Sequence, residues 1–208
     1  MTRRIGVLGG TFDPIHLAHL AIAEECRDQL GLAEVLFVPA GDPPHKQSRE
    51  VAPAVQRVAM VELAIASNPR FRLSRVDVDR PGLSYSVDTL RSLRGELGAE
   101  ADLYFIVGSD SLVDLPNWRD PCRLIELCTI VAVNRPGYPR PDLRQLDARV
   151  PGASRRTRVV DVPDLNLTSS EIRQRVSEGR TIRYLVPDPV RAYIAEQQLY
   201  RKARGGER

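Results

Sequence analysis

Gly9-Gly10-Thr11-Phe12-Asp13-Pro14-Ile15-His16-Leu17-Ala18-His19 follows directly on the apolar run Arg4 to Leu8 (RIGVL), and the fold turns on how that junction is read. The run is short, continuous and apolar, as in a strand buried within a sheet. Paired glycines allow backbone geometry closed to other residues, and from Pro14 onward the pattern becomes helical. A strand that passes through a Gly-rich turn into a helix handles phosphate. Unpaired N–H groups and the positive end of the helix dipole point toward whatever lies above the strand. His16 and His19 stand three residues apart, so within a first helical turn they share a face and aim imidazole donors at one volume. Such donors stabilise charge that develops during phosphoryl or nucleotidyl transfer. No protein metal site is expected: only His45 remains among the histidines, and Cys26, Cys122 and Cys128 have no metal-ligand spacing.

Outward from the junction, strand and helix patterns alternate. Leu20, Ala23, Cys26 or Arg27, and Leu30 suit a first helix ending at Gly31, and Glu34 to Pro39 (EVLFVP) reads as a second strand. A second helix puts Val55, Val58, Ala59 and Leu63 on its apolar face and stops at Asn68-Pro69, before strand-like Phe71 to Asp79. Ser86 to Leu97 suits a third helix, and Leu103 to Val107 (LYFIV), Thr129 to Val133 and Arg158 to Val162 read as strands. Val190 to Gln198 is a terminal helix. The expected fold is α/β: a Rossmann-like, doubly wound parallel sheet with helices on both faces, and a small C-terminal helical part at residues 165–200 of a single domain spanning 1–208. Ligands in such sheets sit at the carboxyl ends of the strands. The loop at 41–52 and the segment 137–155, both rich in Pro or polar residues, are candidate lids on composition.

Composition is compatible with this. A chain of 208 residues that is 42% hydrophobic can bury a core without covalent staples, and three cysteines form no disulfide framework. No apolar run approaches the ~20 residues of a membrane span. No signal-like apolar stretch precedes the first strand, so a cytoplasmic protein is expected. Net charge is +3 but uneven: residues 134–208 carry 16 Lys/Arg against 9 Asp/Glu, a net +7. Such a bias gathers nucleic acid or small phosphorylated molecules. The basic residues are scattered among acids with no aromatic-rich strand motif, which weighs against nucleic acid.

Further motifs fall after predicted strands. Asp42-Pro43-Pro44-His45-Lys46-Gln47 is a proline-stiffened loop offering donors or cations at His45 and Lys46. Gly82 to Thr89 supplies hydroxyls and cap candidates at a helix start, Ser86 among them. Gly108-Ser109-Asp110 ends the LYFIV strand, where a carboxylate can accept from sugar hydroxyls or simply cap a helix. Trp118, the single tryptophan, follows the turn Pro116-Asn117, where a flat ring suits stacking on a base or pyridine as well as core packing. Leu167-Thr168-Ser169-Ser170-Glu171-Ile172-Arg173 combines capping hydroxyls with a guanidinium, which is a second anion site or an ordinary helix cap.

Together these stretches resemble the nucleotidyltransferase superfamily that shares an ancestor with class I aminoacyl-tRNA synthetases. Its (His or Thr)-x-Gly-His motif reads His16-Leu17-Ala18-His19, with alanine in place of the usual glycine. Within it, the chain resembles the bacterial nicotinate mononucleotide adenylyltransferases, through their Pro-Pro-His-Lys loop, their Ser-Tyr-Thr-x-Asp-Thr motif (Ser86 at the threonine) and their Ile-Ser-Ser-Thr-x-Ile-Arg motif. Several motifs in order over residues 4–200 are more specific than any one of them. The resemblance implies transfer of the adenylyl group of ATP to nicotinate mononucleotide, giving nicotinate adenine dinucleotide and pyrophosphate. It implies Mg²⁺ bound mainly through ATP phosphates and water, small-molecule partners without nucleic acid or membrane, and leaves a homo-oligomer open. It further implies catalytic roles for His16, His19 and Arg173. Gly9, Gly10, Thr11, Phe12, Gly108, Asp110, Thr168, Ser169 and Ser170 would join them around ATP. His45, Lys46, Ser86, Trp118, Arg119 and Arg135 would meet the acceptor. The alternatives are an adenylyltransferase for nicotinamide mononucleotide or phosphopantetheine, which would differ at Ser86, Trp118 and Arg119, and a non-catalytic nucleotide- or RNA-binding module. If the Ala18 methyl faces the nucleotide, the site should be slightly tighter than the glycine version.

Overall fold

The computed structural model describes residues 2–42, 51–134, 140–163 and 165–201. Six strands, β1 (Arg3–Gly10), β2 (Glu34–Pro39), β3 (Phe71–Leu73), β4 (Ala101–Gly108), β5 (Thr129–Asn134) and β6 (Thr157–Asp161), form one parallel sheet in the order β3-β2-β1-β4-β5-β6. Helices α1 (Leu17–Leu30), α2 (Ala54–Ile65), α7 (Ser169–Ser177) and α8 (Asp188–Glu196) contribute to one apolar layer. The other layer takes side chains from α3 (Ser86–Leu97), α4 (Ser109–Val113), α5 (Pro121–Leu127) and α6 (Leu143–Arg149). Strand alternation splits the core: Val35 and Phe37 face the first layer, Leu36 and Val38 the second. Both faces are covered, which is why the strands read as continuous apolar runs. The order reverses between β1 and β4, so a crevice opens there above the strand ends.

Local chemistry sets the boundaries. Gly31 closes α1 in the left-handed region (φ 61°), its N–H bonded to the carbonyls of Arg27 and Asp28. Asp120 caps α5 by accepting from Arg123 N, with Pro121 opening the helix, and Asp142 caps α6 by accepting from Arg144 and Gln145. Burial pushes the thiols of Cys26 and Cys128 up to about 12, so neither is a ready nucleophile. Among the described residues no helix is long and apolar enough to cross a membrane.

Several expectations need correction. The helical pattern does not begin at Pro14; His16 is the N-cap and α1 starts at Leu17. The strand at Phe71 stops at Leu73, and the chain turns at 76–78, where Asp79 N bonds back to the Arg75 carbonyl. Segment 137–155 contains α6, whose Asp142 cap lay hidden in a polar stretch. On α2, Val55 (71% exposed) and Leu63 lie outward, and the buried stripe is Arg57, Val58, Met60, Val61, Ala64 and Ile65.

Arg57 is an arginine in an apolar stripe, and it is only 2% exposed. Its guanidinium donates to three backbone carbonyls: Nη1 to Thr11 (2.8 Å), Nε to Ala52 (2.9 Å) and Nη2 to Gly41 (3.1 Å). These belong to the turn after β1, the loop after β2 and the approach to α2. One side chain therefore fixes the strand-end loops relative to each other. Replacing it with methionine keeps the volume but takes the donor away from three partly buried acceptors. Arg57→Met should lower unfolding stability by about 3–5 kcal/mol, read by urea denaturation. A loss below ~1 kcal/mol would mean that water takes over the carbonyls.

Candidate active site

A cleft of about 340 Å³ lies at the carboxyl ends of β1, β2 and β4, where the strand order reverses. Leu8, Gly9, Gly10 and Thr11 floor one side, Gly108 and Ser111 another, and Ser84, Ser86 and Trp118 a third, with His19 reaching in from α1. The glycines do not act through unusual torsions, since neither has a positive φ; both stay paired with β2, Gly9 opposite Val38 and Gly10 opposite Pro39. The left-handed residue is Phe12 (φ 50°), and its ring lies 3.0 Å from where a Cβ on Gly10 would stand. Gly10 is needed because Phe12 folds back over it. A Cβ on Gly108 would meet the carboxylate of Asp110, an exposed side chain that can swing aside, so the demand for glycine is weaker there.

The two histidines have different stations. His19 lines the cleft, whereas His16 is buried (5% exposed) and stacks on it, ring centroids 3.7 Å apart and 30° between planes. The His16 backbone N–H donates to His19 Nδ1 (3.2 Å). That bond makes Nδ1 an acceptor and, in the neutral ring, leaves the proton on Nε2. Phe12 meets the His19 ring edge-on at 5.1 Å, a further restraint on its orientation. The expectation that both rings point into one volume is therefore corrected. Nor is the start of α1 bare, for the Leu185 carbonyl accepts from Leu17 N (3.1 Å). Ala18 is buried and is not among the cleft-lining residues, so its methyl packs into protein.

At the far end, Ser86 opens α3 and Trp118 follows a 3₁₀ turn at Leu115–Asn117. Trp118 packs edge-to-face on Phe105 (6.2 Å, 76°) and lines both the main cleft and an adjoining cavity shared with Ser86, Tyr85 and Arg119. Arg119 lies over the Tyr85 ring (4.7 Å) and pairs with Asp88 (3.4 Å). Tyr85 is the α3 N-cap and makes no side-chain cap bond, so the motif's hydroxyls serve elsewhere. Thr89 donates to the buried Asp77 carboxylate (2.7 Å), which Arg80 also meets at 2.8 Å. Burial pushes the Asp77 carboxyl up, against the pull of both partners. Asp110 sits in the first turn of α4, exposed and outside the cleft lining, with Gly108 as the N-cap.

The 168–173 motif meets the turn after β1. Thr168 caps α7 by accepting from Glu171 N (3.1 Å), so ordinary capping is part of its role. Ser169 Oγ donates to the Pro14 carbonyl (2.9 Å), and Arg173 donates to the Asp13 carbonyl and to Ser170 Oγ (3.0 Å) and faces the Asp13 carboxylate (3.6 Å). Ser170 and Arg173 line a second, wider cleft across this turn from His19. His45, Lys46 and Arg135 lie outside the described residues. Sequence reading gave no role to Asp13, Arg57, Asp77 or Tyr200, all buried or half-buried near the strand ends. Arg57 carries a usable signal, a charge in register with Val61 and Ala64 on one helix stripe.

Comparison with known proteins agrees with this geometry. Residues 7–175 match the family model described as cytidylyltransferase-like. A protein of Thermomicrobium roseum named probable nicotinate-nucleotide adenylyltransferase is 50% identical over 95% of this chain and 92% of its own length. One of Acidothermus cellulolyticus with the same name is 45% identical, over 98% and 97%. Among solved structures, Plasmodium falciparum nicotinic acid mononucleotide adenylyltransferase complexed with NaAD superposes with a TM-score of 0.77, covering 95% of this chain and 97% of that one. At 20% identity that likeness speaks for the fold. With half its residues shared along almost its whole length, the chain belongs to the nicotinate-nucleotide adenylyltransferase family of cytidylyltransferase-like enzymes.

Proposed function

We propose that the chain transfers the adenylyl group of ATP to nicotinate mononucleotide, releasing pyrophosphate and nicotinate adenine dinucleotide. The observation that carries this reading is a single crevice with a fixed imidazole donor at one end and an aromatic, hydroxyl-lined end at the other. In it, ATP lies over Gly9, Gly10, Thr11 and Gly108, its α-phosphate beside His19. The acceptor lies toward Ser86, with its pyridine ring against Trp118 and its carboxylate near Arg119.

The acceptor phosphate oxygen attacks the α-phosphorus in line, a P–O bond forms as the bond to pyrophosphate breaks, and no enzyme nucleophile is required. His19 Nε2–H donates to oxygen that gains charge, and His16 supports the ring from beneath. Arg173, with Ser170 beside it, grips the outer phosphates from the neighbouring cleft. Magnesium bound with the triphosphate would neutralise charge on the leaving pyrophosphate. In this reading phosphate oxygens and water are its main ligands. The C-terminal arginines support small-molecule partners over nucleic acid. Arg140, Arg173, Arg175, Arg180 and Arg191 each face a carboxylate, which offsets part of the local positive charge.

Pyrophosphate release with ATP and nicotinate mononucleotide, compared with the nicotinamide form and phosphopantetheine, tests the acceptor. Faster turnover with either competitor would sink the assignment. His19→Ala should lower kcat by about two orders of magnitude with little loss of fold, and near wild-type turnover would remove His19 from the chemistry. Trp118→Ala should raise KM for nicotinate mononucleotide about tenfold while leaving KM for ATP near its original value, since ring stacking is lost only on the acceptor side.

A further inference from the structure

After α8 the chain passes through Gln198 (φ 52°) and Tyr200 (φ 61°), two non-glycine residues in the left-handed region. Such strain persists where the surroundings impose it. Here Leu199 N bonds back to the Ile194 carbonyl (3.0 Å), and the Tyr200 side chain runs inward past Met60 to Asp13. The Tyr200 hydroxyl donates to Asp13 Oδ1 (2.8 Å), the oxygen that also accepts from Ala52 N (3.3 Å). Asp13 Oδ2 faces Arg173 Nη1 at 3.6 Å, and the Asp13 carbonyl accepts from that same nitrogen. Asp13 is 3% exposed, so its carboxylate is held among these partners. Burial and the adjacent carboxylate both push the Tyr200 hydroxyl upward, so it remains a donor at neutral pH.

We infer that Tyr200 is a positioning residue for the triphosphate end of the site, acting through Asp13 to hold Arg173 where it meets ATP. This rests on the role proposed above for Arg173. Nearly the whole sequence separates Tyr200 from Asp13, so the strap that ends the described chain is joined to the first loop of the fold. Tyr200 touches no reacting atom. Its effect should appear in the handling of ATP and not in that of the acceptor.

A double-mutant cycle tests this, with kcat and both KM values read from pyrophosphate release on the full chain with ATP and nicotinate mononucleotide. Tyr200→Phe keeps the ring, removes the hydroxyl, and should raise KM for ATP about five- to tenfold with KM for the acceptor unchanged. Arg173→Ala should raise KM for ATP further, and adding Tyr200→Phe to it should change nothing more. If the two effects multiply, or if Tyr200→Phe raises both KM values alike, the positioning role is overturned while the assignment of Arg173 stands. If Arg173→Ala leaves KM for ATP unchanged, the assignment of Arg173 falls and the inference with it. Should Tyr200→Phe not fold, Asp13→Asn takes its place in the cycle, keeping an oxygen for Tyr200 and Ala52 but dropping the charge that faces Arg173.

Discussion

The buried guanidinium of Arg57 is the constraint on which the strand-end region depends. A parallel sheet delivers its loops to one edge but does not set their mutual distance, and loop carbonyls turned away from water need partners. Arg57 provides for three at once, at Thr11, Gly41 and Ala52. An ordinary apolar residue on that helix stripe would pack equally well and leave them unmatched. Burial lowers the Arg57 pKa, and the Asp13 charge nearby works in the opposite direction. The turn that carries Phe12 and Asp13 is thereby held by Arg57, by Arg173 and Tyr200, and by the contact of the Phe12 ring with His19.

Division of labour between the histidines follows from that fixed turn. With His16 at the N-cap position, its backbone N–H is free of the helix ladder and is available to the ring one turn later. The bond to His19 Nδ1 uses a group that every helix start must satisfy, and in doing so selects the tautomer. The helix end contributes less as a bare dipole than as a scaffold for one oriented N–H.

Much of the fold was legible in the sequence because the strands are buried on both faces and bounded by clear breakers. Glu34–Pro39 and Ser86–Leu97 stand where their patterns put them. The apolar stripe of α2 was misread because Val55 and Leu63 are apolar yet exposed, while Arg57 is charged yet buried; periodicity weighs residue type and cannot see a carbonyl waiting in the core. Of the site, the positions that line the cleft were found through motif order, Gly9, Gly10, His19, Ser86, Gly108 and Trp118 among them. The stations of His16 and Arg173 were not, since spacing reports a shared face but not which ring lies beneath the other or what turns a guanidinium aside. Tyr200 had no local signal at all, because its partner lies 187 residues away.

Among the described residues, arginine supplies the cation in each ion pair at the site and along α7 and α8. A guanidinium holds its proton beyond pH ~12, whereas a lysine begins to lose its own near 10. The charge pairing therefore has a limit on the acid side only. Where a bond from Arg27 holds the Glu24 carboxyl below its ordinary range, the stability gained is complete above the unfolded pKa and is lost as pH falls through the folded one. Base leaves the Arg27–Glu24 pair intact well past neutrality, and acid releases it.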